Sequence, residues 1–269
     1  MLHTRIRSAI VIGLVAGLGV WFGGWVFFAL VLLVAGMAGY EFTLMMQAGG
    51  HRVSLLFVYA IIVLFMLDAA FAGRNIARHG LVWILILSIS WQILYYRPGS
   101  STVDWALTVS GGLYVGWLFS FFVSLRALPD GLVWTAAALV STWASDSGAY
   151  FLGQAIGRHR LCPLISPNKT WEGIAGGFLG GILAGGCVGA LAMYWAGALG
   201  VVQGLILGVL VSCTAPFGDL AVSMMKREAG VKDTGTLIPG HGGILDRTDS
   251  LMFVAVVTYY FATWTMQWQ

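Results

Sequence analysis

Nine apolar runs separated by short polar breaks dominate this chain. They cover residues 8–21, 26–46, 53–71, 81–95, 105–125, 132–152, 174–195, 201–225 and 251–268. A helix that spans a bilayer needs about 20 apolar residues, with about 17 as the lower limit, so the first and fourth runs are short. The first two runs are split only by Phe22-Gly23-Gly24. Hydrophobic residues make up 59% of the chain and charged ones 9%, where a soluble domain carries about 25% charged residues. Only a bilayer solvates that much apolar surface, because every backbone polar group can be satisfied within a helix. Composition therefore excludes a soluble globular domain, a disordered chain and a nucleic-acid-binding domain. The expectation is an all-α, polytopic integral membrane protein with about nine transmembrane helices.

The basic residues test that count. With nine spans and the N-terminus in the cytoplasm, Arg5, Arg7, Arg52, Arg97, Arg158, Arg160, Lys169, Lys226, Arg227, Lys232 and Arg247 lie inside. Only Arg74, Arg78 and Arg126 lie outside, which is the positive-inside pattern. Merging the first two runs moves Arg5 and Arg7 outward and weakens the bias. The apolar run after Arg7 leads into another span and so reads as a span, not as a cleavable signal. Cys162, Cys187 and Cys213 share no CxxC spacing, so they suggest neither a disulfide framework nor a zinc site. The chain divides into N-terminal helices, 1–130, and a C-terminal catalytic region, 131–269, with cytoplasmic loops 153–173 and 226–249.

Charge is concentrated in the second part. Lys226, Arg227, Glu228, Lys232, Asp233, Asp246, Arg247 and Asp249 all fall within residues 223–249, among several glycines. The positive-inside rule explains the cations of such a loop but not an equal number of carboxylates, and long loops carry function. Asp146 and Asp219 each sit six residues before the end of their apolar run, roughly 9 Å along a helix. Carboxylates inside apolar segments are costly and usually serve an ion or a partner. Asp219, Ser223 and Lys226 share one helix face, and so do Asp246 and Asp249 if the last helix begins early. Glu41 and Asp68 read as snorkelling or packing residues. Gly173, Gly177, Gly181, Gly185 and Gly189 form a smooth stripe, with Gly176 and Gly180 beside it. Such a stripe suits tight packing within the molecule better than a dimer face.

The loop before that stripe reads Ser166-Pro167-Asn168-Lys169-Thr170-Trp171-Glu172-Gly173. It offers cations, hydroxyls and an amide near a helix start, where anions bind well. No Walker A, HExxH, GxSxG or dinucleotide fingerprint is present. Carboxylates ringed by cations suit a hard cation and a polyphosphate. The residues themselves thus point to metal-assisted chemistry on a phosphorylated molecule at a membrane surface.

The segment Ser223-x-Met225-Lys226-Arg227-x4-Lys232-Asp233-x-Gly235-x2-Ile238-Pro239-x-His241-Gly242-Gly243-Ile244-x-Asp246-Arg247-Thr248-Asp249 resembles the signature of the phosphatidate cytidylyltransferases. Asp146-Ser147-Gly148-Ala149-Tyr150, the Ser166–Gly173 stretch and Phe217-Gly218-Asp219-Leu220 resemble the same family, with Ser147 where threonine is more usual. The resemblance implies transfer of a cytidylyl group from CTP to phosphatidate, with Mg2+ and room for a second cation. It implies Asp219 and Asp246 as central metal ligands and Asp146 and Asp249 as further or outer ones. Lys169, Lys226 and Arg227 would hold CTP phosphates, and His241 with Gly242 and Gly243 would shape the loop. Lys232 and Arg247 would meet either phosphate group, and Ser166, Asn168 and Thr170 the nucleotide. A bacterial inner membrane, surrounding lipids and a homodimer are in keeping with the family. Competing readings are a CTP-using lipid kinase, an ion-coupled transporter and a membrane scaffold. The full signature disfavours the first, the carboxylates' position near one face disfavours the second, and the charged loop disfavours the third.

Overall fold

A computed structural model describes residues 2–194, 199–235 and 242–267. Nine helices are present among them: α1 Leu2–Phe22, α2 Gly24–Ala48, α3 Leu55–Ala70, α4 Ile76–Leu94, α5 Ser101–Ala127, α6 Gly131–Ile156, α7 Trp171–Ala192, α8 Val201–Glu228 and α9 Leu245–Met266. Each overlaps one apolar run. The chain is an all-α membrane protein. Five helices (α2, α4, α5, α7 and α8) are long and apolar enough to cross a bilayer by length and composition. Gly23 separates α1 from α2: its φ of 61° with ψ of −155° is backbone that a side-chain-bearing residue avoids. The loop at 153–173 holds one feature that periodicity did not reveal. β1 Arg160–Cys162 pairs antiparallel with β2 Ser166–Thr170, with a shifted register between Arg160 and Cys162.

The chain forms two compact units. One comprises Met1–Ser124 with Met225–Arg247; the other comprises Leu125–Met224 with Thr248–Gln269. Most of the charged signature segment, Met225–Arg247, thus groups with the N-terminal helices.

In the first unit, carboxylates tie one helix start to another segment. Asp68 near the end of α3 accepts the Ala77 N–H at 2.8 Å. This satisfies a free donor in the first turn of α4, so Asp68 is a cap and not a snorkelling residue. Asp104 in the first turn of α5 is 2% exposed. It accepts the Arg52 N–H at 3.0 Å and the Ser100 hydroxyl at 2.9 Å, which fixes the connection between α2 and α3. Helix α4 buries only Ser88, whose hydroxyl accepts the Trp105 indole N–H at 3.0 Å. Its exposed side chains, including Trp83 and Leu94, form the outward face that a lipid-facing helix requires.

In the second unit, glycine sets the packing. A Cβ on Gly176 would strike the Gly148 carbonyl, and one on Gly180 would strike the Ala144 carbonyl, so this face of α7 lies against the backbone of α6. A Cβ on Gly181 would meet Ser212, one on Gly185 the Gly204 carbonyl and one on Gly189 the Gly200 carbonyl, so the adjoining face lies against α8 and its approach. The stripe therefore packs inside the molecule. Without a hydrophobic drive in lipid, this close backbone approach supplies the dispersion contacts that hold helices together. Ser212 adds hydrogen bonds to the Gly177 carbonyl at 3.1 Å and the Gly208 carbonyl at 2.8 Å. Trp134, Leu207, Val211, Val254 and Phe261 fill the core below, with Trp134 and Phe261 edge to face at 6.1 Å.

Gly185→Val should lower the thermal midpoint of the detergent-solubilised protein by the several degrees expected for overpacking that costs about 1–3 kcal/mol or more. Gly36→Ala, where a Cβ meets nothing within 4 Å, should leave the midpoint unchanged or raise it. Equal effects from the two substitutions would contradict this account of the stripe.

Candidate active site

The signature residues fall into two groups, one in each unit. In the second unit, β2 carries Ser166, Asn168, Lys169 and Thr170 to the start of α7. The Thr170 hydroxyl accepts the Gly173 N–H at 3.1 Å, and the residue is 5% exposed. It caps α7 through its hydroxyl oxygen. Glu172 accepts the Arg158 N–H at 3.1 Å and pairs with the His159 ring at 2.6 Å, tying the hairpin's entry to the same helix start. Lys169 is the side chain of this strand that turns toward acid. Its ammonium lies 2.8 Å from Asp219 Oδ2 and also donates to the Pro216 carbonyl of α8 at 3.3 Å.

Asp219 accepts the Ser223 hydroxyl at 3.1 Å, the i+4 neighbour expected from helical spacing. Asp146 on α6 feels the charges of both Asp219 and Lys169. Both helices outrun their apolar stretches, to Ile156 and Glu228. The two carboxylates therefore lie about 14 Å from their helix ends at 1.5 Å per residue, farther in than the apolar runs suggested. Asp249 is buried at 7% exposure, and its Oδ1 accepts the Ser250 N–H at 2.7 Å. Gly218 allows α8 to approach the Asp249 carbonyl, which any Cβ there would strike.

In the first unit, Asp246 is the centre. Helix α9 begins at Leu245, ahead of its apolar run, so Asp246 lies in its first turn. Oδ1 pairs with Lys226 at 2.6 Å; the two side chains are 11% and 13% exposed. Oδ2 accepts the Thr234 N–H and hydroxyl, both at 2.9 Å. Burial pushes the Asp246 carboxyl upward, but the Lys226 and Thr234 hydrogen bonds and the Lys226 charge outweigh it. Its pKa stays below the ordinary carboxylate value. Lys226 thus pairs with Asp246, while Asp219 on the same helix pairs with Lys169.

Arg227, Lys232 and Arg247 are exposed. His241 lies outside the described residues. Sequence did not single out Thr234 and read Glu41 as snorkelling or packing. Thr234 has no charge to draw attention, and Glu41 lies just over two hundred residues away from the N–H groups it accepts.

Among the described residues, no three His, Cys, Asp or Glu side chains gather into a metal-holding group. The donor chemistry still fits Mg2+. Asp146 and Asp219 offer two hard carboxylates, and Mg2+ takes one or two of these with the rest of its shell from phosphate and water.

These positions carry the resemblance seen in the sequence, and whole-chain comparison decides it. The profile of the cytidylyltransferase family matches residues 3–265. The chain belongs to the cytidylyltransferase family. A phosphatidate cytidylyltransferase of Synechocystis sp. is 36% identical over 268 residues, covering 89% of each chain. One of Brucella suis is 36% identical over 266 residues, covering 97% of this chain and 93% of its own. One of Staphylococcus epidermidis is 37% identical over 194 residues, covering 72% of each. Family membership extends over the first five helices, where the sequence alone offered only hydrophobicity and length.

The depressed pKa of Asp246 predicts a pH dependence. Such a group stabilises the fold above its unfolded pKa of about 3.9 and loses that contribution as pH falls through its lower folded value. Wild type should melt above Asp246→Asn at neutral pH, and the gap should close as pH drops below about 4. A gap that widens in acid would contradict the assignment.

Proposed function

We propose that this protein is a phosphatidate cytidylyltransferase, making CDP-diacylglycerol and pyrophosphate from CTP and phosphatidate. The observation that carries the reading is the identity to relatives of that name along almost the whole chain. The two lysine–aspartate pairs agree with it, since they put carboxylate and cation side by side at signature positions. The enzyme sits in the bacterial inner membrane as a nine-span protein with its reacting residues toward the cytoplasm, in keeping with the positive-inside distribution. CTP then arrives from solution and phosphatidate from the bilayer.

A phosphate oxygen of phosphatidate attacks the α-phosphorus of CTP. A new P–O bond forms there as the bond to the β-phosphate oxygen breaks and pyrophosphate leaves. The attacking oxygen is already ionised at neutral pH, so the reaction needs no strong general base. The barrier lies in bringing polyanions together and stabilising the departing charge. Lys226, Lys169 and Arg227 hold the CTP phosphates and lower that repulsion. Lys232 and Arg247 would meet either substrate's phosphate, Ser166, Asn168 and Thr170 would meet the nucleotide, and His241 would shape the loop over it. Asp219 and Asp246 would be the central ligands of Mg2+ and a second cation, with Asp146 and Asp249 as further or outer ligands. Bound there, the metal supplies positive charge to phosphoryl oxygens.

Purified protein in micelles with labelled CTP, phosphatidate and Mg2+ should yield lipid-soluble label plus pyrophosphate, and chelator should stop it. Asp219→Asn and Asp246→Asn should each lower turnover by roughly 10²-fold or more while the protein still inserts. Full activity in either variant would remove that residue from its role. CDP and a newly phosphorylated alcohol would replace the reading with a lipid kinase.

A further inference from the structure

Glu41 is the most deeply buried carboxylate among the described residues, at 1% exposure within α2. Its Oε1 accepts the Ile244 N–H at 2.9 Å, and its Oε2 accepts the Leu245 N–H at 2.8 Å and the Thr234 hydroxyl at 3.1 Å. Gly235 and Gly243 press against the same carboxylate, and a Cβ on either would strike it. Ile244 and Leu245 form the start of α9, whose first N–H groups have no partner within the helix. Glu41 supplies that partner from a different helix. The positive end of α9 and three donors replace the water that a buried carboxylate loses.

Ordinary packing would explain a buried acid. It does not explain what this one holds. Leu245 immediately precedes Asp246, and the Thr234 hydroxyl reaches both Glu41 and Asp246 Oδ2. That hydroxyl has one proton, which serves one carboxylate at a time, so the two acids are linked through it. Asp246 in turn fixes Lys226 at 2.6 Å. A chain of contacts therefore runs from Glu41 through Thr234 and the start of α9 to the Asp246–Lys226 pair.

We propose that Glu41 is a positioning residue for the transfer reaction: by gripping Thr234 and the α9 start, it aims Asp246 and Lys226. This rests on the reading of the function above, since that reading gives Asp246 and Lys226 their chemistry. Both oxygens are in use, so a carboxylate is required. Glutamine keeps the size but offers one acceptor oxygen, and its NH2 in the place of Oε2 would meet the Leu245 N–H, a donor against a donor.

The test combines amide exchange with kinetics on the full-length protein in micelles. In Glu41→Gln, exchange at the Ile244 and Leu245 amides should rise by about tenfold or more while the rest of α2 stays protected. With CTP and phosphatidate, kcat should fall roughly 10²-fold while both KM values stay within about threefold, the mark of misaligned groups and not of lost binding. Thr234→Val removes the shared hydroxyl and should lower kcat in the same way; it decides the matter if Glu41→Gln does not fold. Wild-type kcat in the folded variant, or unchanged exchange at both amides, would overturn the proposal. Wild-type protein that makes no CDP-diacylglycerol would instead refute the function, and the exchange result would then decide the Glu41 grip alone.

Discussion

A helix start inside or beside hydrocarbon has free N–H groups and little water to satisfy them, and this constraint organises the first unit. Soluble proteins usually meet it with a local Ser, Thr, Asp or Asn one residue ahead of the helix. Here the residue ahead of α4 is Asn75 and makes no side-chain cap, so Asp68 of α3 accepts the Ala77 N–H. The residue ahead of α9 is Ile244, which has no polar side chain, so Glu41 of α2 accepts its N–H and that of Leu245. Each such bond joins two helices as well as completing one. The same carboxylate that would cost several kcal/mol alone in an apolar run becomes a tie when donors surround it.

The second unit meets the same scarcity of polar partners by removing side chains. Its α7 keeps glycine on two faces, so the α6 and α8 backbones come within contact of it. Close approach places Ser212 where its hydroxyl reaches a carbonyl of a neighbouring helix as well as one of its own. It also positions the α7 start, and with it β2 and Lys169. The Lys169–Asp219 pair therefore depends on packing that begins well away from it. A residue larger than glycine at Gly176 or Gly185 would displace whole helices, because the listening atoms on the far side are backbone carbonyls, which cannot rotate away as a side chain can.

Much of this was legible from the residues. Apolar runs located the nine helices because hydrocarbon selects length and composition so strongly. The glycine stripe announced close packing, and the run of charges that includes Lys226 and Asp246 marked the segment that carries the family signature. The pairing of these groups was not legible. Helical spacing joins Asp219 to Ser223 and would equally allow Lys226, but it says nothing of Lys169, which arrives from a short hairpin with no alternating pattern to betray it. The Thr170 cap was not legible either; it became visible only once α7 began at Trp171. Glu41 looked like packing because an isolated acid in an apolar run carries no sign of which distant N–H groups it will meet.

The lysine–aspartate pairs also bear on how such a protein handles charge. A carboxylate intended for a cation must stay ionised even where burial favours its neutral form. Lys226 and the Thr234 donors achieve this for Asp246, holding its pKa down despite desolvation. Lys226 lies 2.6 Å from that carboxylate, so the charge that holds Asp246 ionised is supplied by a side chain of the neighbouring helix. On the proposed function, a cation would take the place of the lysine at the carboxylate while the freed lysine met a phosphate, so neither partner would be left as a buried charge alone. On that reading, carboxylates interleaved with lysines hold an advantage over four carboxylates gathered without cations, whose mutual repulsion would raise their pKa values and disfavour the ionised state that metal binding demands.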